Sequence, residues 1–122
     1  MKLANYQIFE YTQSLLNIFE NDNLYIPVKA NFYIQKNIKI IAAAGEEIEK
    51  SRLQIAQHYG VLDKEKNQYI VPPDKIAEAN KEINDLFSIE QDLDIKTFKL
   101  EDLGNAEFTP KQMQAIMFMI EE

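Results

Sequence analysis

The sequence predicts an α+β fold in which a long N-terminal helical hairpin is followed by a small antiparallel sheet, one inserted helix and a C-terminal helix. Three observations predict it: helical periodicity through the first sixty residues, an alternating apolar and polar stretch in the second half, and a strong helix start signal near the end. The 122 residues suit a single domain, 1–122. We divide it into the hairpin, residues 1–60, and a smaller α+β portion, residues 61–122.

The first helix is predicted from Leu3 to about Asn21. Its apolar residues recur at steps of four and three, which places them on one helical face. This stripe consists of Ala4, Ile8, Tyr11, Leu15 and Ile18. Asn21, Asp22 and Asn23 predict the end of the helix, because their side chains compete for backbone hydrogen bonds.

The second helix is predicted over residues 27–59, with Pro27 at its start and Gly60 as its C-terminal cap. It would be about 50 Å long. Isoleucines recur along it every seven residues, like the seam of a coiled coil, at Ile34, Ile41, Ile48 and Ile55. A helical hairpin within one chain would bury this seam. A more specific hypothesis adds a second chain, because the first helix is too short to cover the whole second helix.

Gly45 interrupts the middle of the second helix. A glycine there costs about 1 kcal/mol relative to alanine, and it can mark a close helix crossing, a kink or a break into two helices. Glu46 and Lys50 have the i,i+4 spacing of a favourable pair, which favours one continuous helix.

The second half begins with short apolar segments on either side of a polar turn at residues 63–67. This pattern is typical of a β-hairpin. Pro73 then opens a third helix. Residues 92–100 alternate polar and apolar side chains, which predicts a half-buried strand with a bulge at Phe98.

The last helix has three agreeing start signals. Thr109 and Gln112 have the spacing of a capping box, Pro110 suits the first helical position, and apolar residues flank the cap as in a hydrophobic staple. Its apolar surface extends beyond one face. We therefore weigh a buried core stripe against an exposed docking patch formed by Met113, Met117, Phe118 and Met119.

Composition excludes several classes of function. The chain has no cysteine, so disulfides, thiolate metal sites and a thiol nucleophile are excluded. A net charge of −7 disfavours nucleic acid as a partner. No apolar run approaches the roughly 20 residues that span a bilayer, so we expect no membrane association and a cytoplasmic location.

Residues that could perform chemistry are few, and we interpret each as part of the surface. His58 is the only histidine, and Asp92 and Asp94 lie on one face of the predicted strand. Asp63 and Glu65 alternate like the start of a calcium loop but lack its glycine and closing glutamate. We therefore predict no catalytic residues, no metal, no cofactor and no enzymatic activity.

The C-terminal half has a recognisable pattern in residues 73–87, 92–95, 99–103, 109–110 and 115–122. With these residues it resembles a family of small uncharacterised proteins encoded by phages and prophages of low-GC Gram-positive bacteria. The N-terminal helix and residues 36–39 and 59–60 fit the same family more loosely. It implies a viral origin and the cytoplasm of the host cell. Lys111 and Gln112 depart from the more acidic start of the family's last helix. No catalytic or binding residues are carried over from the family.

We therefore expect a non-catalytic phage protein that binds another protein, as a homo-oligomer with a structural or assembly role. The expected contact surfaces are the isoleucine seam and the last helix. The alternative is a phage anti-defence protein that inhibits a host immune protein or sequesters a small nucleotide signal. Under that alternative the expected ligand contacts are Tyr33, Lys36, Tyr59 and Phe98.

Overall fold

The computed structural model describes residues 1–20 and 23–121. It confirms the predicted α+β class, with one long helix, three shorter α-helices and short paired strands among these residues. The elements are β1 (Lys2–Ala4), α1 (Asn5–Leu15), α2 (Val28–Tyr59), β2 (Val61–Asp63), β3 (Gln68–Ile70), α3 (Ile76–Ser88), β4 (Glu90–Asp92), β5 (Phe98–Lys99), α4 (Pro110–Ile116) and β6 (Ile120–Glu121). Single 3₁₀ turns cover Pro73–Lys75, Leu100–Leu103 and Met117–Met119.

The described strands form three separate two-stranded sheets. β1 pairs with β4 and β2 pairs with β3, both antiparallel, whereas β5 pairs with β6 in parallel. The first pairing ties the N-terminus to the segment that follows α3, and the third ties the C-terminus to the segment before the Leu100–Leu103 turn. Both chain ends are therefore fastened to the second half of the molecule.

The predicted strand over residues 92–100 is confirmed only at its two ends, Asp92 in β4 and Phe98–Lys99 in β5. Its middle is irregular, because the side chain of Asn37 on α2 takes both backbone groups of Lys96. Asn37 Oδ1 accepts from the Lys96 N–H at 2.8 Å, and Asn37 Nδ2 donates to the Lys96 carbonyl at 2.8 Å. Asn37 is fully buried, so these two bonds also satisfy a polar group that would otherwise be costly to bury. The Lys96 N–H therefore cannot donate to a neighbouring strand.

α1 ends at Leu15, six residues earlier than predicted. Asn17 adopts a left-handed conformation with φ 55°, which ends the helix. Ile18 and Phe19 then pack against the core from a turn rather than from a helix. The predicted stop at Asn21 and Asp22 lies outside the described residues.

α2 is one continuous helix through Gly45, as predicted. Gly45 is buried, and a side-chain Cβ there would collide with Thr12 on α1. The Thr12 hydroxyl donates to the Ile8 carbonyl at 2.8 Å and lies 3.4 Å from the Ile41 carbonyl of α2. Gly45 therefore marks a close crossing of the two helices.

The inner face of α2 forms the centre of the core. Ile34, Ile41 and Ile48 are at most 2% exposed. The core around them includes Ile8 and Leu15 of α1, Ile95 and Phe98 of the second half, and Ile116 and Met119 near the C-terminus. α3 also packs along α2. One chain thus covers the face that the short first helix could not cover alone.

The capping box of α4 is confirmed. The Thr109 hydroxyl accepts from the Gln112 N–H at 3.2 Å, and Gln112 Oε1 accepts from the Thr109 N–H at 2.9 Å. α4 ends at Ile116, however, and the chain continues through a 3₁₀ turn into β6. No helix of the described residues is long and apolar enough to cross a membrane.

Candidate interaction surface

The side of α2 that faces away from the core carries the most extended exposed surface along a single helix. At about 100° per residue, the residues of this side lie roughly 100–180° around the helix from Ile41. We call it the outer face of α2. It consists of Val28, Phe32, Gln35, Lys39, Ala42, Ala43, Glu46, Lys50 and Leu53, all of them exposed.

Large apolar side chains stand at both ends of the outer face. Val28 is 78% exposed, Phe32 62% and Leu53 47%. The side of a helix that faces water normally carries polar and charged residues. Val28 and Phe32 lie about one turn apart and Leu53 about 32 Å further along the helix, so this side departs from the usual polar surface at both of its ends.

The side chains at the centre of the outer face are small. Ala42 and Ala43 leave the helix backbone open to close approach by a neighbour. Beside Ala42 lies a groove of about 210 Å³, which is bordered by Leu16, Ile38 and Thr12 among others. Leu16 is 71% exposed at the end of α1 and extends the apolar surface next to Ala42.

The charged side chains in the middle of α2 are exposed and can pair with groups of another molecule. The Glu46 carboxylate lies 3.6 Å from Lys50 Nζ, and both side chains are more than 70% exposed. Such exposed pairs contribute little, so they exchange partners readily. Arg52 donates to Glu49, and this hydrogen bond lowers the pKa of the Glu49 carboxyl group. Lys39 forms no ion pair with any residue that the structure describes.

The isoleucine seam is not available to a second chain, so this prediction is wrong. Ile34, Ile41 and Ile48 are buried within the chain's own core, and Ile55 is half-buried. The sequence pattern correctly identified a packed face of α2. Of the two alternatives for its cover, the structure shows burial within one chain, because α3 and the C-terminal segments supply the cover that was missing from α1.

The predicted docking patch near the C-terminus is largely internal. Met119 is fully buried, and Met113 packs against the core. Phe118 stacks on Tyr11 of α1, with ring centroids 3.9 Å apart and planes 8° from parallel. Burial raises the pKa of the Tyr11 hydroxyl, with a smaller contribution from a nearby carboxylate. Only Met117 of the four predicted residues is exposed, at 59%.

The four residues expected to hold a nucleotide do not meet within the chain. Tyr33 and Phe98 line one surface cavity of about 330 Å³, but Phe98 is only 2% exposed and its ring has no free face for stacking. Tyr59 lies 26 residues further along α2, about 39 Å away. Its hydroxyl bonds to Glu82, which raises the pKa of Tyr59. Lys36 is exposed on α2 outside the cavity.

The charge of that cavity also disfavours a phosphate group. Its charged lining consists of Lys29, Lys99, Glu101, Asp102 and Glu121. Three carboxylates against two ammonium groups repel an anion, and Lys29 already lies 3.9 Å from the Asp102 carboxylate.

The remaining polar candidates have local structural partners. Asp63 Oδ1 accepts the Glu65 N–H at 3.0 Å and so shapes the turn between β2 and β3. Asp92 pairs with the N-terminal amino group at 3.0 Å, and Asp94 pairs with Lys96 at 3.0 Å. The hydrogen bond from Lys96 lowers the pKa of Asp94.

His58 is exposed at the end of α2 and makes an edge contact with the ring of Tyr59, with centroids 4.7 Å apart. Within residues 1–20 and 23–121, no three His, Asp or Glu side chains are close enough together to hold a metal ion.

Comparison with known proteins gives no match, whether to a protein-family model, to a curated protein or to a solved structure. The resemblance of the C-terminal half to phage proteins therefore stays a prediction.

Sequence reasoning missed the outer face, although a signal for it was present. Phe32, Lys39, Glu46 and Leu53 also recur every seven residues. The two central charges hid this repeat from a search for apolar periodicity.

Proposed function

We propose that this protein is a non-catalytic phage or prophage protein of the host cytoplasm that works by binding protein chains, and that it does so as a homo-oligomer. The viral assignment is supported by the resemblance of the C-terminal half. The binding role is supported by one observation above all, which is the exposure of Val28, Phe32 and Leu53 on the outer face of α2.

The physical argument concerns the cost of leaving these side chains in water. Burying a large apolar side chain contributes about 1.5–3 kcal/mol relative to exposure. Phe32 stands on a rigid helix, and an aromatic residue on a rigid element is a typical anchor of a protein interface. The opposite side of α2 is covered by the chain itself, so the outer face is the side left for a partner.

Replacing Phe32 with glutamate tests this function. We expect light scattering coupled to gel filtration to give a mass above the single-chain value of 14.2 kDa for the wild-type protein, and that single-chain value for Phe32→Glu. Because Phe32 is 62% exposed, the fold should persist, and circular dichroism checks it.

Tyr6→Glu is the matched control, since Tyr6 is another exposed aromatic residue, at 53%, on α1. It should keep the wild-type mass. A wild-type protein that stays a single chain at every concentration would overturn the homo-oligomer. A Phe32→Glu variant with the wild-type mass would instead move the contact away from the outer face.

A further inference from the structure

One line of the outer face carries two opposite charges between two apolar ends, and reading it backwards exchanges the two charges. Phe32, Lys39, Glu46 and Leu53 are seven residues apart, so they lie on one line when two helices pair at 3.5 residues per turn. The order along α2 is apolar, basic, acidic, apolar. All four side chains are exposed.

This line is complementary to itself when a second copy runs in the opposite direction. The point between Ala42 and Ala43 is equally far from Lys39 and Glu46, and equally far from Phe32 and Leu53. A two-fold axis at that point places Lys39 of each copy against Glu46 of the other. It also places each Phe32 against a Leu53, so both kinds of contact occur twice.

Parallel pairing of the same faces has the opposite electrostatics. It would place Lys39 against Lys39 and Glu46 against Glu46, and like charges in direct opposition are destabilising. The order of the charges therefore selects the antiparallel arrangement.

We propose that the occupant of the outer face is a second copy of this chain, docked antiparallel through α2 with the two-fold axis beside Ala42 and Ala43. This inference rests on the proposed homo-oligomer and adds its surface, direction and register. Alanines at the axis permit the short interaxial distance, about 8–10 Å, at which helices interlock. Leu16, which lies next to Ala42, adds apolar surface close to the axis.

The contact is of modest size. From Phe32 to Leu53 the helix extends about 32 Å, and the dimer would bury one face of one helix from each copy. Interfaces near the lower end of the usual size range dissociate on dilution. We therefore expect a monomer–dimer equilibrium that depends on protein concentration and that weakens when salt screens the Lys39–Glu46 pairs.

Charge reversal tests the register. Lys39→Glu places a carboxylate against Glu46 of the other copy at two symmetric positions, so the dissociation constant measured by analytical ultracentrifugation should rise at least about tenfold. The double variant Lys39→Glu/Glu46→Lys recreates opposite charges and should return the constant to near the wild-type value. Lys64→Glu, which makes the same charge change at the exposed turn between β2 and β3, should leave it unchanged.

The outcomes separate this inference from the proposed function. If the wild-type protein is a dimer and Lys39→Glu leaves the dissociation constant unchanged, the register is overturned while homo-oligomerisation stands. The same holds if the double variant fails to restore the constant. A wild-type protein that is monomeric throughout overturns both. Circular dichroism of each variant shows whether a loss of dimer reflects a loss of fold.

Cysteine cross-linking gives an independent test of direction, because the chain has no native cysteine. Lys39→Cys and Glu46→Cys proteins are oxidised separately and as a mixture. The antiparallel dimer predicts that the mixture gives far more disulfide-linked dimer than either protein alone. Efficient linking of each protein to itself would indicate parallel pairing and contradict the inference.

Discussion

Residues on both sides of α2 recur every seven positions, but one side is buried and the other is exposed. Ile34, Ile41 and Ile48 on the inner face are buried in the core, whereas Phe32 and Leu53 on the outer face remain exposed. Spacing alone therefore identifies a face of a helix without identifying the chain that covers it. The composition of the face carries the additional information.

The inner face is apolar at every repeat, and the chain's own segments reach it first. Packing within one chain avoids the loss of translational and rotational freedom that association costs. A continuous apolar seam next to other apolar segments is therefore covered during folding. A face that mixes apolar ends with charges at its centre gains less from burial, and it remains exposed on the folded chain.

The largest expected difference between the two sides is in stability. Ile41→Ala should lower the free energy of unfolding by about 2–5 kcal/mol, because it removes buried methyl groups and leaves a cavity in the core. Leu53→Ala should lower the stability of the dilute monomer by less than about 1 kcal/mol while weakening self-association. Urea unfolding at a protein concentration below the dissociation constant of the dimer measures the free energy of unfolding of both variants. Equal losses would show that the outer face is also part of the monomer's core.

The fold class and α2 were predictable because their signals are long or redundant. Thirty residues of helical periodicity outweigh the cost of Gly45, and the Thr109–Gln112 capping box agrees with Pro110 on where α4 begins. Agreement between independent local signals is strong evidence for an element.

The hairpin of β2 and β3 was predicted from its polar turn at residues 63–67 and is confirmed. The other small strands were not predictable, because two or three residues carry no periodicity. β1 and β6 exist through pairing with β4 and β5, which are remote in sequence. The predicted strand around Lys96 failed for a related reason. The backbone groups of Lys96 bond to Asn37, 59 residues away, and no local sequence pattern predicts such a contact.

The sequence placed the expected contact on the inner face of α2, which the structure buries within the chain. Which face of α2 is buried depends on where α3 and residues 93–121 pack. The nucleotide contacts stay a prediction, since Tyr33 and Tyr59 stand far apart along α2 and would need a second chain to meet around one ligand. Sequence indicated which residue types were present and could not indicate which ones converge.

The next expected effect concerns the helix crossing on the covered side. Gly45→Ala should destabilise the protein by about 1–3 kcal/mol, because the added methyl group collides with Thr12. In a Thr12→Ala background the same change should cost at least about 1 kcal/mol less, since most of the colliding atoms are gone and alanine favours the helix. A double-mutant cycle in urea measures the coupling. Additive effects would show that α1 does not cross α2 closely at this point.

The smallest expected effect is a pH dependence that distinguishes the covered side from the outer face. Burial against Phe118 raises the pKa of Tyr11 above its ordinary value of 10.0 in the folded protein. The unfolded chain therefore loses this proton first as the pH rises. The stabilisation is complete below 10.0 and is lost as the pH rises through the folded-state pKa.

Tyr11→Phe should remove this part of the alkaline loss of stability, because phenylalanine keeps the stacked ring and has no proton to lose. The measurement compares the free energies of unfolding of wild type and variant at neutral pH and above 10.0. The free energy of unfolding of Tyr11→Phe, relative to that of wild type, should be higher at alkaline pH than at neutral pH. Tyr25→Phe, at a residue that is 77% exposed, should keep the wild-type profile. Parallel profiles for wild type and Tyr11→Phe would mean that the Tyr11 hydroxyl group is as well solvated in the folded protein as in the unfolded chain.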